Sequence, residues 1–191
     1  MFKNEYWVWE GEIPKSVCEA ILKDLDWNQS KAGTVSKGAE KLVVDEKIRV
    51  TDLIWQPQLS VIGSIAQTYI RAANINAEWN LILNGLEAIQ LGKYSIGGHY
   101  DWHRDTAIYN DVDIQAGLVR KLSMSILLND PSEFEGGELE IEFSNGEIAK
   151  NLLPKQGSIV VFPSFMRHRV SPTTLGTRYT AVTWANGPQF K

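Results

Sequence analysis

The sequence predicts a mainly β protein, a two-sheet β-sandwich or jelly roll braced by N-terminal helices. Two stretches of apolar residues at helical spacing lie before residue 78. From about residue 79 the period changes. Short β-rich runs follow, separated by turn residues such as Asn84-Gly85, Gly97-Gly98, Asn129-Asp130-Pro131, Gly136-Gly137 and Asn145-Gly146. Helices first and many short strands afterwards fit a strand sandwich with helices against one side. At 191 residues the chain reads as one domain. Residues 1–78 supply a strand, the supporting helices and a lid loop; residues 79–191 supply the β core.

Residues 5–9, Glu-Tyr-Trp-Val-Trp, are aromatic and β-prone and start the chain as a strand. Pro14, tolerated in a first turn, opens a helix whose stripe is Val17, Ala20, Ile21, Leu22, Leu25 and Trp27. Residues 28–47 are polar, with Gly33 and Gly38 and several lysines, and read as a loop with a short strand at 42–44. Residues 48–55 are extended. A second helix runs over about 58–73, with Leu59, Ile62, Ile65, Ala66, Tyr69 and Ile70 inward. Strands are expected near 80–83, 86–94, 99–104, 121–128, 137–143, 148–152, 158–162, 167–170 and 178–185. Asn145-Gly146 makes a hairpin turn between Glu-Ile-Glu-Phe and Glu-Ile-Ala. Residues 106–119 form a second loop, acidic at Asp111 and Asp113.

The net charge is −4, which leaves no electrostatic footprint for nucleic acid or an anionic membrane. Cys18 is the one cysteine, so no intrachain disulfide forms, and a reducing cytoplasm is the expected compartment. No apolar run reaches the ~18 residues of a spanning helix, and residues 1–7 lack a signal-peptide pattern.

The chemistry concentrates in Tyr94–Asp105, Tyr-Ser-Ile-Gly-Gly-His-Tyr-Asp-Trp-His-Arg-Asp. Two of the three histidines lie here, each followed two residues later by an aspartate. On a strand, residues i and i+2 face one side, so His-x-Asp aims an imidazole and a carboxylate at one point. A distant histidine completes a triangular face, the set that suits non-heme Fe(II) and leaves open positions. A closed zinc site would want a fourth protein ligand, and Cys18 is remote. Two pairs qualify, His99 with Asp101 and His103 with Asp105. Their histidines would lie roughly 13 Å apart along a straight strand, so both cannot hold one metal. Spacing alone leaves both pairs open.

The sequence Tyr94, Gly97, Tyr100, His103, Asp105 resembles the Fe(II)/2-oxoglutarate-dependent dioxygenases, in their prolyl 4-hydroxylase-like branch. So do Arg120-Lys-Leu-Ser-Met-Ser-Ile-Leu-Leu-Asn-Asp-Pro, Phe134-Glu-Gly-Gly-Glu-Leu, Pro154-x-x-Gly157, His168-x-Val170-x-Pro172, Gly176-x-Arg178 and Trp184. The resemblance covers about residues 86–187 and favours the second pair. It implies a double-stranded β-helix (jelly roll, cupin-like) in which His103, Asp105 and His168 bind Fe(II). Arg178 would take the distal carboxylate of 2-oxoglutarate through its planar fork. Tyr94 would hydrogen-bond the same carboxylate, and Tyr100 and Trp184 would line the pocket. Some relatives carry a second tyrosine where this chain has Leu127, a departure at that end of the pocket.

The implied activity is hydroxylation of an unactivated C–H, foremost a prolyl residue of a peptide or protein. O₂ and 2-oxoglutarate are consumed and succinate and CO₂ released; relatives commonly use ascorbate to rescue oxidised iron. A free amino acid, another small metabolite, nucleic acid, or a non-enzymatic jelly-roll binding module are the alternatives. His99 and Asp101 are expected outside the ligand set. Arg120, Arg167 and Arg169 are either receptors for an acidic substrate or solvated cations.

Overall fold

A computed structural model describes residues 2–36, 42–106 and 117–190. Two antiparallel sheets carry the fold. The larger runs in the order Trp7–Trp9, Ile159–Pro163, Leu118–Leu127, Arg178–Pro188, Ile89–Tyr94, Asp52–Gln56, Lys31–Ala32, with Gly85–Leu86 added against Arg178–Pro188. The smaller runs Ile148–Ala149, Leu139–Glu142, His168–Val170, His99–His103, Arg49–Val50. Two ribbons, Phe134–Gly136 with Thr173–Gly176 and Val35–Ser36 with Leu42–Val43, complete the described strands. This is the predicted jelly roll with two α-helices, Lys15–Lys23 and Val61–Asn76, on the outer face of the larger sheet. No helix among the described residues is long and apolar enough to cross a membrane.

The central strands are buried on both faces, and their alternation sorts side chains between two cores. Leu122, Met124, Ile126 and Leu128 join Ile159 and Val161 against the helices. Val160 and Phe162 point the other way, into the space between the sheets, with Leu139, Ile141 and Val170. The same parity turns Ser123 and Ser125 inward, between the sheets. The first helix is tied to this core by a tight crossing. Ile13 N–H donates to the Gly157 carbonyl at 3.1 Å. Gly157 has φ +79°, and a Cβ there would sit 2.0 Å from the Ile13 oxygen.

Several boundaries differ from expectation, each for a local reason. Residues 80–83 form no strand, because the Asn74 amide takes the place of a strand partner. It donates to the Leu81 carbonyl and accepts from the Leu81 N–H, both at 2.9 Å. The 48–55 run breaks at Thr51. Arg49–Val50 pairs with His99–His103 in the smaller sheet, whereas Asp52–Gln56 pairs with Ile89–Tyr94 in the larger. The 86–94 run breaks at Glu87 and Ala88, where the Glu87 N–H reaches the Trp184 carbonyl. Leu59, expected inward, is 95% exposed, because it lies in the turn before the N-cap Ser60. The Asn145-Gly146 hairpin forms as read, with Ile141 opposite Ala149 and Glu142 opposite Ile148. The lid reading for 28–47 includes residues 37–41, and the loop reading for 106–119 falls mostly on 107–116. Both stretches lie outside the described residues.

Candidate metal centre and adjoining pocket

His103 ends its strand and His168 begins another, and the two are directly opposed in the smaller sheet. Four residues from Tyr100 to His103 oppose only three from His168 to Val170, so the strand bulges. The bulge breaks the parity that a straight strand would give His99 and His103. It sets Tyr100 flat against the His103 ring instead, with centroids 3.5 Å apart. His99 turns away and its Nδ1 meets the Gly97 carbonyl. Asp101 is exposed and caps its neighbour's N–H.

Asp105 lies beyond the strand, not on it. Its backbone N–H donates to the Ser164 carbonyl at 2.9 Å, which swings the carboxylate between the two rings. His103 Nε2 is 3.5 Å from Asp105 Oδ1, and His168 Nε2 is 3.3 Å from Oδ2. All three ligand atoms lie within 4.8 Å of one another. Each histidine is fixed from behind. His103 Nδ1 sits 2.7 Å from the Asp101 carbonyl, and His168 Nδ1 sits 3.0 Å from the Met166 carbonyl. A carbonyl only accepts, so each Nδ1 carries a proton; each Nε2 faces Asp105, donating to it when the ring is charged and offering a lone pair to a metal when the ring is neutral. Ser123 Oγ donates to Asp105 Oδ2 at 2.8 Å, with Ser164 Oγ 3.0 Å behind it.

The electrostatics follow from this crowding. Burial alone would raise the Asp105 carboxyl, but the His168 charge and hydrogen bonds from both rings hold it well below the usual range. Burial and then repulsion from His168 lower His103. For His168 burial also acts to lower, yet the Asp105 charge and hydrogen bond outweigh it and the ring is raised. Among the described residues no fourth histidine, cysteine or carboxylate joins this group. Two imidazoles, neutral once a metal takes their Nε2 lone pairs, and a carboxylate on one side of a buried space match the donor set of a non-heme Fe(II) site with open positions.

One cavity contains all seven residues singled out by sequence: Tyr94, Tyr100, His103, Asp105, His168, Arg178 and Trp184. Arg178 stands opposite Tyr94 in the larger sheet and is 3% exposed. Its guanidinium carbon lies 5.5 Å from the Tyr94 ring centroid. No carboxylate among the described residues pairs with it, and burial pulls its pKa down to about 10. A buried guanidinium with no carboxylate partner among the described residues carries a desolvation cost that an anionic ligand would offset. Leu127 lies fully buried on the far side of Arg178, in a separate cavity of about 180 Å³.

The arginines suspected of binding an acidic substrate are otherwise engaged. Arg120 forms a fork to Glu87 at 2.6 and 2.5 Å and stacks over Trp184. Arg167 pairs with Glu142 and Arg169 with Glu140, both at 2.8 Å. Sequence reasoning passed over Ser123, although the alternation Leu122-Ser123-Met124-Ser125-Ile126 marks it as inward-facing. Arg49 and Gln90, which also line the cavity, carry no comparable signal, because the break at Thr51 alone decides which sheet Arg49 joins.

A family model described as the 2OG-Fe(II) oxygenase superfamily matches residues 89–186. A PKHD-type hydroxylase of Synechococcus sp. (strain JA-2-3B'a(2-13)) is 37% identical over 100 residues, which are 52% of this chain and 42% of that protein. The chain thus spans under half the length of this curated relative. A prolyl-4-hydroxylase from Pseudomonas putida superposes with TM-score 0.72 at 19% identity, covering 98% of this chain and 95% of the other. A Trichoplax adhaerens prolyl hydroxylase, solved with a hypoxia inducible factor peptide fragment, gives 0.69 at 18% identity, covering 96% and 84%. At these identities the structural likeness establishes the fold.

Proposed function

Because the chain belongs to the 2OG-Fe(II) oxygenase superfamily, we propose that it hydroxylates an unactivated C–H, foremost on a prolyl residue of a peptide or protein. The observation that carries the reading is the convergence of His103, Asp105 and His168 within 4.8 Å, beside the unpaired guanidinium of Arg178. His103 Nε2, Asp105 and His168 Nε2 hold Fe(II). Arg178 receives the distal carboxylate of 2-oxoglutarate, with Tyr94 beside it. Bound iron with 2-oxoglutarate and O₂ supplies the oxidising power for C–H hydroxylation, with succinate and CO₂ released.

The chain's own contribution is positioning and exclusion of water. The carbonyls of Asp101 and Met166 lock the imidazole tautomers. Ser123 satisfies the carboxylate oxygen that faces His168, so Asp105 stays ionised and fixed. Tyr100 holds the His103 ring plane by stacking. Trp184 and Phe162 wall the cavity with apolar surface. The prolyl target is supported by the names of the structural neighbours, prolyl hydroxylases whose fold this chain shares.

Anaerobic titration of the protein with Fe(II) and 2-oxoglutarate tests the reading without a known substrate. A visible metal-to-ligand charge-transfer band is expected. It should be lost in His103→Ala and Arg178→Ala and kept in His99→Ala. A folded protein that shows no band refutes the oxygenase reading.

A further inference from the structure

Outside the metal-type cluster, a groove of about 480 Å³ runs from Lys31 and Trp55 to Arg104 and Asp105. It adjoins the inner cavity, sharing Arg49, Gln90, Tyr100, Asp105 and Trp184 with it. Its charged lining is unbalanced. Glu87 is neutralised by Arg120, and Asp105 belongs to the cluster. Lys31, Arg49 and Arg104 have no carboxylate partner among the described residues. Three cations with no carboxylate partner among the described residues thus line one groove, although Arg104 also donates to the Phe165 carbonyl at 2.7 Å, in a chain whose net charge is −4.

Arg49 is the centre of this arrangement. It is 7% exposed, and every contact it makes is with a neutral group. Nη2 donates to Gln90 Oε1 at 2.6 Å, Nε and Nη1 approach Thr51 Oγ1 and the Thr34 carbonyl at 3.5 Å, and the Tyr100 ring lies 4.5 Å from the guanidinium carbon. Gly33 makes the slot. A Cβ there would stand 2.6 Å from Arg49 Nε. These contacts orient the guanidinium but leave its charge unpaired, a costly state unless a ligand supplies the anion. A second polar group in the same space also lacks a partner: the Trp184 indole N–H, on a residue 6% exposed.

We propose that the groove reads a carboxylate on the substrate, with Arg49 as its receptor. The proposal rests on the hydroxylase reading and names the chemistry of its substrate. The sheet register keeps this anion separate from 2-oxoglutarate. Arg49 is bonded at Gln90 and Arg178 is paired with Tyr94, four residues along the same strand. The backbone positions of Gln90 and Tyr94 are roughly 13 Å apart, a spacing that lets the two guanidinium groups receive two different carboxylates. The carboxylate belongs either to an Asp or Glu side chain flanking the target residue or to a free α-carboxyl group.

The test is isothermal titration of the protein loaded anaerobically with Fe(II) and 2-oxoglutarate. The probes are matched acid and amide pairs. Two are blocked tripeptides, acetyl-Glu-Pro-Gly-amide against acetyl-Gln-Pro-Gly-amide and acetyl-Gly-Pro-Glu-amide against its Gln form. The third is N-acetylproline against its amide. At least one acid should bind tenfold or more tighter than its amide. The pair that shows the preference identifies the side-chain or the α-carboxyl source. Arg49→Gln should level that pair, and Arg49→Lys should retain part of the preference. Should Arg49→Gln fail to fold, Gly33→Ala displaces the guanidinium without removing it and should also level the pair. Equal binding within every pair, or a preference that survives in Arg49→Gln or Gly33→Ala, overturns the proposal. The charge-transfer band keeps the two readings apart. A band without acid preference sinks only the carboxylate reading; no band sinks the oxygenase reading, whatever the peptides do.

Discussion

Replacing Arg178 by Met separates what this side chain costs the fold from what it does for a ligand. The guanidinium is 3% exposed, has no carboxylate partner among the described residues, and burial pulls its pKa down from the ordinary arginine value to about 10. At about 1.4 kcal/mol per pH unit, that displacement corresponds to roughly 3 kcal/mol of unrecovered desolvation. Arginine stays charged at neutral pH, so the cost is present under ordinary conditions. Met keeps most of the apolar stem and removes the charge. It forfeits the interaction with the Tyr94 ring, worth about 1 kcal/mol. The ligand-free variant should therefore be more stable than the native chain by about 1–2 kcal/mol. For a chain of this size that raises Tm by roughly 3–6 °C. In protein already saturated anaerobically with Fe(II), 2-oxoglutarate at a hundred times its Kd adds about 2.7 kcal/mol to the native protein. The variant should gain close to nothing at the same concentration. Thermal unfolding followed by circular dichroism, on the metal-free proteins and on the Fe(II)-loaded proteins with and without 2-oxoglutarate, reads both effects. A ligand-free variant destabilised by more than about 2 kcal/mol would show that the guanidinium holds the fold together. An undiminished ligand shift would show that the dicarboxylate docks elsewhere.

The folded-state carboxyl of Asp105 is held below its unfolded value, so it contributes stability that is present above about pH 4 and lost as pH falls through the lowered value. Urea midpoints of the metal-free protein should fall steeply with acid, and less steeply in Asp105→Asn; parallel curves would contradict the linkage. Ser123→Ala removes the donor to Asp105 Oδ2 and should weaken divalent-metal binding by about ten- to a hundredfold, read by Co(II) titration. An unchanged Co(II) affinity would count against that role. Ile126, 1% exposed in the core under the helices, should cost about 2–5 kcal/mol as Ile126→Ala, with the urea midpoint lowered at constant slope.

Much of this protein is local, and local features were legible in its sequence. The helical stripes, the turn dipeptides and the β-rich runs after residue 79 led to a braced jelly roll, which the fold bears out. His103, Asp105, His168 and Arg178 were also named from sequence, through the resemblance of the ordered blocks around them to the Fe(II)/2-oxoglutarate-dependent dioxygenases. Spacing alone did not choose between the two pairs. In space, the bulge before His103 and the bond from Asp105 to Ser164 bring His103 and Asp105, not His99 and Asp101, against His168, and both features depend on partners far downstream. The Arg49 slot was equally hidden. A single break at Thr51 sends Arg49 to one sheet and Asp52–Gln56 to the other. Its surroundings come from Gly33, Gln90 and Tyr100, on three separate segments. The reverse holds for Arg120, Arg167 and Arg169, which sequence offered as free cations. Each finds a glutamate only because strand pairing brings one within reach. Periodicity and turn chemistry act over a few residues, so the chain states its elements directly. Charge compensation and ligand geometry depend on which distant strands become neighbours, and register and the bulge decide that.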